Sequence, residues 1–217
     1  MEIFNLKKEN DFTEVANVVT SYLRAGKVIV YPTDTIYGLG CDAKNRKAVG
    51  AIRRLKMRGK EKPFSVIMKN ITEIKKYAIL DEIKKDFLSQ LFPGKFTIIL
   101  KSKGNLPTEL TWKEKTLGIR IPDYQLTNQI SKKFGGPYVT TSVNISTEEP
   151  GTQGEEIIAK YQRRFPRPDL IINAGKLNEK GERPMASTVI DLTEEKPRIV
   201  RMGIMKPKAL LKLLKAW

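Results

Sequence analysis

At 217 residues the chain is long enough for one compact domain with a sizeable apolar core, without disulfide or metal staples. It has no histidine and one cysteine, Cys41. That excludes Ser-His-Asp and Cys-His nucleophile systems, zinc sites built on Cys and His, and haem with a His ligand. The balance of 40 basic against 24 acidic residues leaves +16, which points to an anionic partner (nucleic acid, nucleotide or membrane surface) or to a lysine-rich solvated exterior.

Asp11 to Ala25 carries Phe12, Val15, Val18, Val19, Tyr22 and Leu23 at helical spacing and stops at Gly26. Val28 to Tyr31 is a short apolar run, as in a strand buried on both faces, and Pro32 ends it. A loop is expected over Thr33 to Cys41, then a helix over Lys47 to Lys56 and a strand over Phe64 to Met68. Ile71 to Leu91 reads as two helices broken near Leu80-Asp81. Strands are expected at Phe96 to Leu100, Leu117 to Ile121 and Tyr138 to Thr141. Helices are expected at Gln125 to Lys133 and Glu155 to Tyr161. Leu170 to Ile172, Ser187 to Asp191 and Arg198 to Val200 read as the last strands, and Lys206 to Ala216 as an apolar-basic helix. Irregular alternation of strands and helices predicts an α/β fold, a twisted mixed sheet covered by helices. A single domain over 1–217 is expected, because no linker interrupts the composition. A lone cysteine fits a reducing compartment. No apolar run approaches the about 20 residues of a membrane span, and the N-terminus lacks a signal-peptide pattern. A cytoplasmic protein without membrane contact is the expectation.

Two phosphate-binding patterns fail on context. Gly38-Leu-Gly-Cys-Asp-Ala43 resembles a dinucleotide fingerprint, but six residues separate it from the strand it should follow directly. The Gly94-Lys95 pair lacks the upstream glycine of a P-loop, since Ser89 stands there. Other clusters fall near strand ends, where open α/β sheets bind ligands. Tyr31-Pro-Thr-Asp-Thr-Ile-Tyr-Gly-Leu-Gly40 combines hydroxyls, a carboxylate and glycines. Lys44 to Lys62 holds nine basic residues and one acid; within it Lys56, Arg58 and Lys62 could clamp a triphosphate or a carboxylate, or simply face water. Arg120 sits in a strand-like apolar run, where it needs an Asp or Glu partner or an anionic ligand. Thr140-Thr-Ser-Val-Asn144, Ser187-Thr188 and Arg201 with Gly203 are further polar ends.

Taken in order, Tyr31 to Gly40, Lys56-x-Arg58 with Lys62-Pro63, Gly118-Ile-Arg-Ile-Pro122, Thr141-Ser-Val-Asn-Ile-Ser146, Ser187-Thr-Val-Ile-Asp191 and Arg201-x-Gly203 resemble the YrdC-like family of threonylcarbamoyl-AMP synthases in tRNA modification. The resemblance runs from about Val28 to Gly203. It implies a twisted α/β sheet, covered by helices, with a large positively charged cavity. It also implies a reaction in which L-threonine, bicarbonate and ATP give threonylcarbamoyl-AMP and pyrophosphate. A tRNA-modifying transferase complex would then carry the product to adenosine 37. By the same resemblance, Thr35, Arg120, Thr140 and Ser187 would hold threonine. Arg58, Lys62, Thr116, Ser142 and Arg201 would hold the nucleotide, and Lys56 and Arg58 would serve catalysis. Mg2+ would arrive with ATP. Longer members carry an additional C-terminal domain, which is not expected here. A YciO-like relative departs at Lys-x-Arg and Ser-x-Asn, both intact in this chain. The competing expectation is a module that binds tRNA or double-stranded RNA without synthase activity.

Overall fold

The computed structural model describes residues 1–6, 12–59, 62–111, 115–144, 151–177 and 185–204. Strand β1 (Glu2–Asn5) and helix α1 (Phe12–Arg24) lead to β2 (Ile29–Tyr31) and β3 (Gly38–Gly40). Then come α2 (Arg46–Leu55), β4 (Ser65–Ile67), α3 (Ile71–Tyr77), α4 (Glu82–Leu91) and β5 (Phe96–Lys101). A 3-10 turn (Thr108–Leu110) precedes β6 (Thr116–Arg120), α5 (Gln125–Phe134), β7 (Tyr138–Ser142), α6 (Gly154–Gln162), β8 (Leu170–Asn173), β9 (Thr188–Asp191) and β10 (Arg198–Arg201). The expected C-terminal helix, and the loop after Asn144, lie outside the described residues.

The strands form one mixed sheet in the order β1-β8-β2-β3-β7-β4-β6-β5-β9-β10. Parallel pairs (β1/β8, β2/β8, β4/β6, β5/β9) alternate irregularly with antiparallel ones. Local chemistry sets the helix starts. Asn45, Asn70 and Asp81 each accept a hydrogen bond from the backbone N–H three residues on, so α2, α3 and α4 begin where an orphan donor finds an acceptor. Asp81 is the expected break between α3 and α4.

Three elements differ from expectation. β1 has no counterpart among the expected strands; it pairs in parallel with β8 at the sheet edge. The 3-10 turn is likewise additional. β3 falls inside the expected loop, because Gly-Leu-Gly has no strand propensity. It pairs with β2 because its glycines admit the Tyr31 side chain: a Cβ on Gly40 would lie 2.8 Å from the Tyr31 ring and 3.0 Å from the Val139 carbonyl oxygen.

Side chains alternate across the strands, so two cores form, one on each sheet face. Val30, Leu39, Val66, Ile98, Ile119 and Val139 meet α2, α3, α4 and α6 on one face. Ile29, Tyr31, Ile67, Tyr138, Leu170 and Ile172 meet α1 and α5 on the other. Cys41 is fully buried in the first core, and burial pushes its thiol pKa up. Among the described residues no helix is long and apolar enough to cross a membrane.

Candidate active site

The second sheet face changes character along its strands. Beyond Tyr138 the next residue on that face is Thr140, and before Ile67 it is Ser65. Thr140 lies beside Ser65, Ser65 beside Gly118, and Gly118 beside Ile99 across four adjacent strands. Gly118 leaves room for the Ser65 hydroxyl, since a Cβ there would lie 2.8 Å from Ser65 Oγ. Short side chains replace large ones, and a cavity of about 130 Å³ opens over this row. It continues into a groove of about 350 Å³ between Ile99, Gly118, Val189 and Val200.

The loop from Pro32 to Tyr37 forms one wall. Thr33 Oγ1 accepts from the N–H groups of Thr35 and Ile36 and donates to the Ile36 carbonyl, folding the loop on itself. Tyr37 ties its far end to the exit of β8, donating to the Gly175 carbonyl and accepting from Ala174 N–H, both at 2.8 Å. Between these anchors Asp34 accepts from Arg120 Nη2 at 2.7 Å and from Asp123 N–H at 3.2 Å. The pair is buried, with side-chain exposures of 8% for Arg120 and 2% for Asp34. Burial raises the Asp34 pKa, and the attraction of Arg120 and the Asp123 N–H offset only part of that. Arg120 therefore has both the carboxylate partner and the cavity position left open by its sequence. Its Nη2 also lies 3.4 Å from Thr35 Oγ1, and its Nε is buried without a hydrogen-bond partner.

A second wall comes from the end of α2. Arg58 N–H bonds back to the Arg53 carbonyl and Met57 N–H to the Arg54 carbonyl, the paired bonds of a Schellman end. The left-handed residue of that motif is Met57, at φ 49, where glycine is usual. This turn sends Lys56 inward and Arg58 toward the cavity. Lys56 is 1% exposed; its Nζ donates to the carbonyls of Ser142 and Asn144 and to Asn144 Oδ1. Arg58 donates to the carbonyls of Lys62 and Pro63 at 2.9 and 3.0 Å, and its guanidinium lies over the Phe64 ring. The third wall is β9 and β10. Arg201 Nη2 donates to the Ser187 carbonyl at 2.8 Å, while Ser187 Oγ and Thr97 Oγ1 share a 2.7 Å hydrogen bond. Burial, then repulsion from Arg120, lowers the Arg201 pKa. Gly203 crosses directly over the start of β9, where a Cβ would stand 2.3 Å from the Ala186 carbonyl oxygen.

Arg58, Arg120, Thr140, Ser142, Ser187 and Arg201 thus line one cavity, and no acidic side chain among the described residues lines it. The other sequence-derived candidates stand elsewhere. Thr35 is fully buried behind Arg120, and Lys56 behind Ser142. Thr116 is buried on β6 and lines neither the cavity nor the groove. Lys62 is exposed and contributes its carbonyl to Arg58. Sequence reasoning missed Ser65 and Thr97, which also line the cavity, as does Thr33, one of the hydroxyls of the Tyr31–Gly40 segment. A hydroxyl early in an otherwise apolar strand was the available signal for Ser65 and Thr97.

Comparison with known proteins agrees with the fold. The Sua5/YciO/YrdC family model, described as telomere recombination, matches residues 21–203. Mouse threonylcarbamoyl-AMP synthase is 31% identical over 202 residues, covering 92% of this chain and 69% of its own. Escherichia coli YciO, an uncharacterized protein, is 31% identical over 205 residues, covering 94% of this chain and 96% of its own. The crystal structure of E. coli YciO superposes with a TM-score of 0.84 at 30% identity, over 96% of this chain and 98% of that one. P. abyssi Sua5 complexed with L-threonine gives a TM-score of 0.87 over 98% of this chain and 61% of that one; at 24% identity that likeness is one of fold. The chain therefore belongs to the Sua5/YciO/YrdC family of enzymes.

Proposed function

We propose that the protein is an L-threonylcarbamoyladenylate synthase, joining L-threonine, bicarbonate and ATP for the modification of tRNA adenosine 37. The observation that carries this reading is the meeting of Arg58, Arg120 and Arg201 with a ring of hydroxyls around one cavity that no acidic side chain among the described residues lines, in a chain related to named synthases. The cavity volume corresponds to roughly ten water-sized spheres, the scale of one small amino acid. Threonine would enter there, its carboxylate on Arg120 and its polar groups among Thr140 and Ser187. Thr35 would act from behind by steadying Arg120. The groove offers apolar flanks at Ile99, Val189 and Val200 for a base, with Arg58 and Arg201 toward the phosphates and Ser142 on the adjoining cavity wall. Lys62 and Thr116 would reach the nucleotide only with local rearrangement.

The threonine ammonium first loses a proton to solvent; the free amine then attacks the carbon of bicarbonate, giving an N-carboxylate and releasing water. That carboxylate attacks the α-phosphorus of ATP in line, the bond to the bridging oxygen breaks, and pyrophosphate leaves. Such transfer is mostly positioning and charge neutralisation. Arg58 and Arg201 would neutralise the phosphates directly. Lys56 would hold Ser142 and Asn144 in register while adding positive potential. Among the described residues no three carboxylate or cysteine groups cluster as a metal site, and Asp34 is engaged with Arg120. Mg2+ would therefore ride on the phosphate oxygens of ATP.

Pyrophosphate release by the purified protein should depend on threonine, bicarbonate and ATP together. Arg58→Ala should lower turnover on the order of a hundredfold with the fold intact. Release that proceeds from ATP with neither co-substrate would overturn the reading.

A further inference from the structure

We propose that the Ser65 hydroxyl is the bicarbonate anchor of the site, holding the one-carbon unit where the cavity meets the groove. This inference rests on the synthase reading and adds a residue to it. The two hollows share Arg58, Pro63, Ser65, Thr97 and Arg201 in their linings. A group at that junction meets both the amino acid and the α-phosphorus. In the proposed reaction the group that must meet both is the carboxyl derived from bicarbonate.

The other shared residues have their polar atoms engaged or are cations suited to phosphate. The Pro63 carbonyl accepts from Arg58, Thr97 Oγ1 shares its hydrogen bond with Ser187, and Arg201 reaches the Ser187 carbonyl. Ser65 is half-buried, and its hydroxyl has no hydrogen-bond partner among the described residues. Its direction is set by Gly118, the facing residue on β6. Ser65 Oγ takes the space that a side chain would fill, 2.8 Å from where a Cβ would stand. Gly118 lines the groove, so the hydroxyl leans toward the nucleotide side. Arg120 lies two residues along β6 on the same face, about 7 Å away along the strand, so one small amino acid can reach both.

When the free amine attacks bicarbonate, an N–C bond forms, and the bicarbonate hydroxyl leaves as water with the proton that the nitrogen gives up. Ser65 Oγ donates to one oxygen of bicarbonate and then to the same oxygen of the N-carboxylate. The other oxygen stays free to attack phosphorus. A neutral donor suits this place, because a cation paired with the carboxylate would draw charge from the attacking oxygen. The serine keeps its own proton throughout.

The test is steady-state pyrophosphate release in degassed buffer, with bicarbonate, threonine and ATP varied in turn. Ser65→Ala removes one cavity-facing oxygen, so the urea midpoint should hold. It should raise the bicarbonate KM about tenfold, the loss of one hydrogen bond to a charged group, with the threonine and ATP KM values within about twofold of wild type. Gly118→Ala presses on Ser65 Oγ. It should raise the bicarbonate KM in the wild type and leave it unchanged in the Ser65→Ala background. The assignment is overturned if Ser65→Ala leaves the bicarbonate KM unchanged, if it raises the threonine or ATP KM instead, or if the two substitutions act independently. A wild type that needs neither bicarbonate nor threonine for pyrophosphate release overturns the synthase reading, and this assignment with it.

Discussion

Under α1 and α5, one sheet face presents Tyr31, Ile67 and Tyr138, all fully buried, with the two tyrosine rings meeting edge to face at 5.8 Å. One pleat further along β7 and β4 the face presents Thr140 and Ser65, with Gly118 of β6 beside Ser65, and there the cavity opens. The backbone ladder is continuous between the two regions; what differs is side-chain length. The floor of the hollow is therefore built into the sheet itself, and the Pro32–Tyr37 loop and the end of α2 raise walls around that rigid base.

The sharpest way to break this contrast is truncation on each side of it. Tyr138→Ala should cost about 4 kcal/mol in urea unfolding, because it empties a filled region. Thr140→Ala, two residues on, should cost under about 1 kcal/mol while lowering turnover at least about tenfold. Next in size is Asp34→Ala, which leaves Arg120 buried without its carboxylate and should cost about 3 kcal/mol. Gly118→Ala pushes a Cβ toward Ser65 Oγ and should cost about 1–2 kcal/mol, with a rise in KM read from pyrophosphate release.

Two smaller effects test the elements that carry the cations. Burial opposes ionisation of Asp191, but bonds from Thr193 and Arg198 outweigh it and hold the pKa below the ordinary carboxylate value. A depressed pKa contributes stability above the ordinary value and loses it as pH falls through the folded one. Asp191→Asn should thus lower stability by under about 1 kcal/mol at pH 7, and the difference should vanish in strong acid. Met57→Gly should stabilise the end of α2 by about 1 kcal/mol, seen as a higher urea midpoint, because glycine adopts the left-handed position without strain.

Much of this was legible in the chain. The break at Asp81, the buried strand before Pro32 and the polar strand ends all follow from capping, periodicity and proline chemistry. The clusters around Arg58, Arg120, Ser187 and Arg201 were each visible, and their order pointed to a shared site. Less legible was which face of a strand looks into the hollow. Ser65 and Thr97 read as ordinary residues of apolar runs until their cross-strand neighbours are known. Lys56 read as a cation offered to a ligand, whereas its burial against Ser142 and Asn144 is a tertiary fact with no local signal. β3 was hidden because glycine at positions 38 and 40 answers the Tyr31 ring, a partner on the preceding strand.

The sequestered sulfur of Cys41 has a practical consequence. With its ionisation suppressed and no solvent access, the native chain offers thiol-directed reagents no ready thiolate. A single engineered thiol on an exposed position would then take a dye or spin label alone, so motion at the cavity rim could be followed without first removing the native sulfur.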